Sequence, residues 1–322
     1  MTHFALDELL SYTHEHAGPS STHLASFVAA YFDNTDPDEL QARGPATLFA
    51  IANAHWRLLD MARPANTAKI RVFNPTLAED GFVSDHTVVH IVHDNMPFLV
   101  DSVTMAINRG NRTAHWIVHP LMSVARDAQG KVTSVSSAAA AAAEGRHDPV
   151  ESVIQVECDR IVGPGERLAL VAELERVLGD VRCAVQDWQA MLERAQSMAA
   201  AASSSTLSAS GRQEGVDFLR WLEDRHFTFL GARDYDLKRD GDVVHLVARP
   251  ETGLGILRGE VKTLETRLPP EAVALLESNE LVLVTKAMTR ATVHRPAWLD
   301  YVAVKRFDEA GNVVGEARFL GL

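Results

Sequence analysis

The first 65 residues carry apolar side chains at helical spacing. Apolar positions recur every three or four residues in two runs, the second of which begins at Pro45. Such spacing places apolar side chains on one helix face, and proline is favoured in the first helical turn. The apolar positions are Leu24, Phe27, Val28, Tyr31, Leu48, Phe49, Ile51, Trp56 and Leu59. The pattern predicts a helical N-terminal segment over residues 1–65.

Strands alternate with helices from residue 66 to residue 196. The predicted elements are a strand at 86–93, a helix from 97 to 107, extended stretches at 114–126 and 152–158, a helix at 164–178 and a fourth strand at 181–185. This order is typical of a ferredoxin-like βαββαβ module, whose two helices cover one face of an antiparallel sheet. We expect the other face to meet a neighbour or solvent. The predicted core is Val88, Ile91, Leu99, Val103, Ile107, Ile117, Ile154, Val156, Leu170, Leu174 and Val185.

Two stretches of low complexity interrupt this pattern. The alanine run at 138–143 lies inside the predicted module, and an Ala- and Ser-rich segment covers 199–210. Small residues bury little apolar surface, which is typical of loops and linkers. The first run is therefore predicted to be a loop insertion, and residues 197–210 are predicted to be a linker between domains.

Residues 211–322 form a second α+β pattern. A helix precedes five extended segments, FTFLGARDYDL, VVHLVA, LVLVTKA, DYVAVKRF and VVGEARFLGL, and the last two are joined by a Gly-containing hairpin loop at 308–312. The pattern predicts a five-stranded antiparallel sheet with its helices inserted after the second strand. This arrangement resembles a PAS-type sensor domain, and a second ferredoxin-like unit, of the same kind as residues 66–196, remains open as an alternative.

Composition and charge narrow the range of partners. The 322 residues include 43 acidic and 31 basic side chains, which gives a net charge of −12. A negative field repels phosphate backbones and anionic lipids, so nucleic acid and membranes are poor candidate partners. No stretch approaches the roughly 20 apolar residues of a membrane span, and Cys158 and Cys183 lack metal-site or disulfide-framework spacing. We therefore expect a cytoplasmic protein.

The segment from Asp94 to Asp101 is the strongest candidate for a ligand site. A predicted strand ends there and a helix begins, so backbone N–H groups and the helix dipole are available to a carboxylate, while Asp94 or Asp101 faces an ammonium group. The sequence Asn95-Met96-Pro97-Phe98 resembles the Asp-x-Pro-Gly-Leu-Leu turn of ACT domains, which are regulatory modules of amino-acid metabolism. Phe98 stands where that family has glycine, and its ring is expected to fill the space. A ligandless fold therefore remains an alternative to an amino-acid sensor.

Other chemistry finds little support. The run Gly253–Gly259 has Arg258 where the third glycine of a dinucleotide-binding turn belongs, and no helical pattern follows it, so it is interpreted as a loop between strands. On a strand, His86 and His90 share a face while His93 points away, so these histidines cannot converge on a metal. Ser102 lies in a helical pattern rather than in a nucleophile elbow. We predict no catalytic residue, cofactor or metal in this segment.

A resemblance to a family covers most of the chain. The matching segments are Arg71–Pro75, His86–Val103, His119-Pro120, Arg126-Asp127, Phe227–Gly231, Val293–Pro296 and Asp300–Leu322. They resemble the N-terminal region of the large bacterial NAD-dependent glutamate dehydrogenases. The resemblance implies ACT-like and PAS-like domains ahead of a catalytic domain that oxidatively deaminates glutamate to 2-oxoglutarate and ammonium with NAD.

That resemblance also implies how the segment acts. We expect a chain truncated before its catalytic domain, with the downstream catalytic region of the same polypeptide as partner, a homo-oligomeric assembly and an amino-acid effector. The segment would then contribute regulation and assembly rather than turnover. The alternative is a purely structural, oligomerisation module whose sheet faces hold subunits together without sensing a ligand.

Overall fold

The protein is an α+β chain with two antiparallel sheets. A computed structural model describes residues 2–17, 21–259, 261 and 263–322. Two compact units divide the chain, a first unit Met1–Leu178 and a second unit Gly179–Leu322. Within the described residues, no helix has both the length and the apolar character needed to cross a membrane.

Four helices open the first unit, as the apolar spacing predicts. They are α1 Thr2–His16, α2 Ser21–Tyr31, α3 Pro37–Arg43 and α4 Pro45–Asp60. Asp36 caps α3 by accepting a hydrogen bond from the backbone N–H of Asp38 at 2.9 Å. Residues 1 and 18–20 of the predicted helical segment lie outside the described part of the chain. Phe27, Tyr31 and Leu48 are buried in the resulting core.

A six-stranded antiparallel sheet follows in the first unit. Its strands are β1 Lys69–Phe73, β2 Thr87–Asp94, β3 Ala114–Val118, β4 Leu121–Arg126, β5 Val132–Ser137 and β6 Val150–Cys158, and the accompanying helices are α5 Leu77–Asp80, α6 Leu99–Arg109, α7 Ala138–Ala143 and α8 Pro164–Gln186. The strands lie in the order β1-β2-β6-β4-β5, with β3 also paired to β6.

Both faces of this sheet are covered. Val88 and Val92 of β2 and Val153 of β6 pack with the N-terminal helices in one apolar core. Val89 and Ile91 point to the opposite face, because successive strand residues alternate sides, and both are fully buried. The face expected to meet a neighbour or solvent is therefore covered by the chain's own helices.

Two elements predicted within residues 66–196 are wrong. Residues 181–185 are the end of helix α8 instead of a fourth strand, because Val177, Val181 and Ala184 are buried at helical spacing. The position beside β2 that a fourth strand would take is occupied by β1. The alanine run at 138–143 is helix α7 rather than a loop, since alanine is the best helix former.

Most of the predicted core of the first module is buried. Nine of its eleven residues are fully buried, whereas Ile117 is 39% exposed and Val185 is half-buried. Strand β3 is short and its register with β6 shifts between Ala114 and Trp116. Burial alternates along β3, with Trp116 and Val118 inward and Ile117 outward, so the predicted core took the wrong face of this strand.

The second unit contains a seven-stranded antiparallel sheet. Its elements are α9 Trp188–Ala201, α10 Ala209–Trp221, β7 Phe229–Asp240, β8 Val243–Ala248, β9 Leu254–Gly255, β10 Glu265–Arg267, α11 Pro270–Glu277, β11 Val282–Arg290, β12 Trp298–Phe307 and β13 Val313–Gly321. The order is β10-β8-β7-β13-β12-β11, with β9 paired to β7. All five predicted strands are present, but the predicted count of five is wrong because the short strands β9 and β10 bring it to seven.

Helix α9 extends into the Ala- and Ser-rich segment. It ends at Ala201, and a single turn of 3-10 helix follows at Ala202–Ser204. Met198 and Ala202 are buried in the core of the second unit with Leu219 and Phe319. The linker at 197–210 and the outer boundaries of the domains stay predictions.

Candidate functional site

The predicted strand, turn and helix are present at residues 94–101. Strand β2 ends at Asp94, and the backbone N–H of Asn95 donates to the Val150 carbonyl at 2.9 Å. Helix α6 begins at Leu99, and its first helical bond runs from the Ser102 N–H to the Phe98 carbonyl at 3.0 Å. The N–H groups of the first helical turn, among them those of Leu99 and Val100, have no carbonyl acceptor within the helix.

Asp94 already has a strong partner. Its carboxylate accepts from the Arg63 guanidinium at 2.6 Å and from the Asn66 backbone N–H at 3.1 Å. Burial acts to raise the pKa of Asp94, but the hydrogen bond and charge of Arg63 outweigh it and hold the pKa below its ordinary value. The charge that we expected to face an ammonium group is therefore balanced from within the chain.

Arg63 joins this turn to a buried ion cluster. The same guanidinium donates to Glu151 on β6 at 2.9 Å, and Arg126 on β4 also donates to Glu151 at 2.8 Å. Burial acts to raise the pKa of Glu151, but Arg126 and Arg63 together lower it. Sequence reasoning missed Arg63, because nothing in its local sequence marks it as a partner of a residue 31 positions further on.

Asn95 is held by a hydrogen-bond chain from β6. The Ser152 hydroxyl donates to Asn95 Oδ1 at 3.0 Å, and His119 Nε2 lies 3.1 Å from the same hydroxyl. A hydroxyl has one proton to give, so His119 Nε2 must be the donor to Ser152. Burial lowers the pKa of His119. The Asn95 side chain is thus oriented by a polar chain that starts on β6.

Phe98 has a backbone that favours glycine. Its φ is +71°, in the left-handed region, where an L side chain costs about 1–2 kcal/mol. The ring itself is half-buried. The position at which ACT-type turns have glycine therefore takes a glycine-like conformation here too.

The remaining residues of the turn face outward. Met96 is half-buried, whereas Pro97 is exposed and Asp101, the third residue of α6, is exposed as well. An acidic residue in the first turn is stabilised by the helix dipole. The arrangement can offer the backbone N–H groups of Leu99 and Val100 to a carboxylate, with the exposed Asp101 side chain at the edge of the turn.

His86, just before β2, and the two histidines of β2 lie in different surroundings. His86 faces Glu157 at 3.6 Å, whereas His93 Nδ1 bonds to the Asp94 carbonyl at 2.7 Å. Ring stacking at 4.0 Å joins His90 to His55 of α4. In the part of the chain that the structure describes, no three His, Cys, Asp or Glu side chains form a group that could hold a metal.

His90 belongs to a buried polar network that sequence reasoning missed. The Tyr31 hydroxyl lies 2.8 Å from His55 Nδ1 and 3.0 Å from Gln155 Oε1, while His90 Nε2 donates to Gln155 Oε1 at 2.9 Å. All four side chains are buried. Burial lowers the pKa of His55 to about 3, and burial together with His55 lowers the pKa of His90. The network joins the N-terminal helices to the sheet, and its two histidines, His55 and His90, are held in the neutral form.

Comparison with known proteins finds one family. Residues 27–174 match the family described as "Glutamate dehydrogenase, ACT1 domain". The NAD-specific glutamate dehydrogenases of Pseudomonas aeruginosa and Halomonas elongata are each 32% identical to this chain, over 301 and 307 residues that make up 92% of it. The enzyme of that name from Mycobacterium tuberculosis is 27% identical over 286 residues, or 86% of the chain. The chain spans less than a fifth of these relatives, at 18%, 19% and 16% of their lengths.

Proposed function

We propose that the chain is the regulatory and assembly region of an NAD-specific glutamate dehydrogenase, because residues 27–174 match the glutamate dehydrogenase ACT1 family and most of the chain aligns with such enzymes. The enzyme would oxidatively deaminate glutamate with NAD in the cytoplasm, as a step of glutamate catabolism. Its NAD site and catalytic residues would belong to a downstream region of the same polypeptide. The alignment over 92% of the chain is the observation that carries the proposal.

The finer architecture of the proposal is a ferredoxin-like ACT module at 66–196 and a PAS-like domain at 211–322. The order β1-β2-β6-β4 supports the first assignment, because β1 supplies an antiparallel neighbour for β2 where a fourth strand would pair. Two features support the PAS-like assignment. Helix α11 follows β8, the second long strand of its sheet, and the first strand β7 pairs with the last strand β13.

Regulation would act through the turn at 94–101. In this proposal an amino-acid effector places its carboxylate at the N–H groups of the first turn of α6, where the helix dipole favours a negative charge. Its ammonium group lies toward Asp101, which is exposed at the rim. Binding there would bias the arrangement of a homo-oligomer, because the turn is continuous with β2, an interior strand of the sheet.

A second candidate function is a ligandless structural module. Two observations favour it: the ion pair of Asp94 with Arg63 at 2.6 Å and the half-buried ring of Phe98. Both occupy groups or space that a ligand would use. In this case the ACT1 sheet contributes to assembly alone.

Calorimetry on the chain with glutamate, aspartate and leucine distinguishes the two functions. If the turn senses an amino acid, Asp101→Ala should weaken binding by about 1.5–3 kcal/mol, the scale of a charged hydrogen bond. The matched control is Glu166→Ala, which removes an exposed acidic side chain at the same position of helix α8. Absence of binding at millimolar concentration, or binding that Asp101→Ala leaves unchanged, would favour the structural module.

A further inference from the structure

Strand β11 is an open edge of the second sheet. Among the described residues it ends the strand order, and its pairing is with β12 on one side. A groove of about 410 Å³ lies beside its first half, lined by Gly215 and Phe218 of α10 and by Val282 and Val284 of β11. An open edge presents N–H and C=O groups that a further strand can bind. The start of β11 therefore has room for one more neighbour.

The backbone groups on the open side of β11 belong to its even-numbered residues. The Lys305 N–H of β12 donates to the Leu281 carbonyl at 3.1 Å, so these two residues face each other as a hydrogen-bonded pair. Such pairs alternate along an antiparallel ladder. The odd-numbered residues of β11 therefore bond to β12, and the N–H and C=O groups of Val282, Val284 and Lys286 point away from it.

The first half of β11 lacks the usual protections of an edge strand. Its residues 281–285, LVLVT, include neither a charged residue nor a proline. The Val284 side chain is 50% exposed. A register shift between Lys286 and Arg290 marks a bulge that ends the regular part of the strand. A partner strand can thus pair with β11 as far as Lys286.

The charges at the two ends of this stretch fit a second copy of the same strand. If a two-fold axis passes through Leu283, Val282 stands opposite Val284, and their outward backbone groups bond to each other. Glu280 then stands opposite Lys286 at both ends, and opposite charges in this position stabilise an antiparallel pair. Both side chains are exposed, that of Lys286 by 65%. A shift of the axis by one residue would lose both charge pairs.

We propose that the chain dimerises by antiparallel pairing of β11 with β11 of a second copy, centred on Leu283. The two seven-stranded sheets would join into one, and the apolar Val284 side chain would be covered. Lys286 also contacts Asp300 of β12 at 2.6 Å, and an ammonium group has enough donors to serve Glu280 of the second copy as well. The proposal rests on the assembly role proposed above and gives it a surface. It involves no ligand at the turn at 94–101.

Analytical ultracentrifugation of the chain tests this association. The wild type should sediment as a dimer that dissociates on dilution. Val284→Lys should be monomeric at concentrations at which the wild type is dimeric, because it places a cation in the middle of the pairing twice. The matched control is Met288→Lys, which adds the same charge at a 97% exposed position in the bulge and should dimerise like the wild type.

The outcomes separate this edge from the assembly role as a whole. A monomeric wild type would overturn the pairing and would also count against assembly by this chain. A wild-type dimer that Val284→Lys leaves intact would overturn the pairing alone. If Val284→Lys does not fold, variants of the two exposed charged residues decide in its place.

Exchange of the two charges tests the register. Glu280→Lys and Lys286→Glu should each raise the dimer dissociation constant by about tenfold or more, because each sets like charges opposite one another at both ends of the pairing. The double variant should regain most of the wild-type affinity, since its charges are again opposite. Separate effects on the fold would accumulate instead. A double variant that dimerises more weakly than either single variant would overturn the proposed pairing.

Discussion

At the scale of the residue, we predict that glycine is more stable than alanine at position 98, the reverse of their usual order inside a helix. Phe98→Gly and Phe98→Ala both remove the ring, but only glycine adopts φ +71° without strain. We expect Phe98→Gly to be more stable than Phe98→Ala by about 1 kcal/mol. At exposed Glu193 inside α9 the order should reverse, with alanine more stable by about 1 kcal/mol. Urea unfolding of the four variants measures both differences, and the same order at both positions would contradict the left-handed turn.

The buried histidine pair predicts a dependence of stability on pH. Burial lowers the pKa of His55 to about 3 and also lowers that of His90, whereas an unfolded histidine has a pKa of about 6.5. Below that value the unfolded chain binds more protons than the folded one, so the free energy of unfolding should fall with falling pH. Each histidine contributes a slope of up to about 1.4 kcal/mol per pH unit.

A variant separates this effect from ordinary acid destabilisation. His90→Leu removes one titrating group, so its unfolding free energy should fall less steeply between about pH 6.5 and about pH 5. Val89→Ala, a cavity-forming change at a buried neighbour in β2, should lower stability by a similar amount at every pH. Urea titrations across this range measure the slopes, and equal slopes for wild type and His90→Leu would contradict the neutral network.

At the scale of the element, Arg63 connects three segments, so its replacement should lower the free energy of unfolding. It follows α4 and bonds to Asp94 at the end of β2 and to Glu151 of β6. Because Arg63→Gln leaves the carboxylates of Asp94 and Glu151 without this cation, it should destabilise the fold by about 3 kcal/mol. Arg109→Gln, which breaks the partly exposed pair with Glu173, should cost less than about 1 kcal/mol. Thermal unfolding compares the two, and similar losses would show that the Arg63 cluster contributes little.

Local patterns in the sequence predicted most long elements but not how they pair. The turn at 94–101 and the five long strands of the second sheet have clear apolar periodicity, and all are present where the sequence placed them. Taken alone, residues 181–185 have the apolar pattern of a strand. Together with Val177 they continue one buried face of helix α8. Pairing of β1 with β2 and of Arg63 with Asp94 depends on contacts distant in sequence, which periodicity does not encode.

At the scale of the whole molecule, β1 makes the N-terminal helices and the sheet of the first unit dependent on one another. It pairs along five residues with β2, whose side chains from Thr87 to His93 are all buried. A shortened chain that began at His86 would turn β2 into an open edge with bare N–H and C=O groups and an uncovered apolar face. Edges of this kind recruit strands from other molecules. Such a chain should self-associate in light-scattering measurements, whereas the chain from Met1 should not do so through this edge. The residues ahead of β2 would thus protect the chain from aggregation during synthesis, a role separate from any ligand.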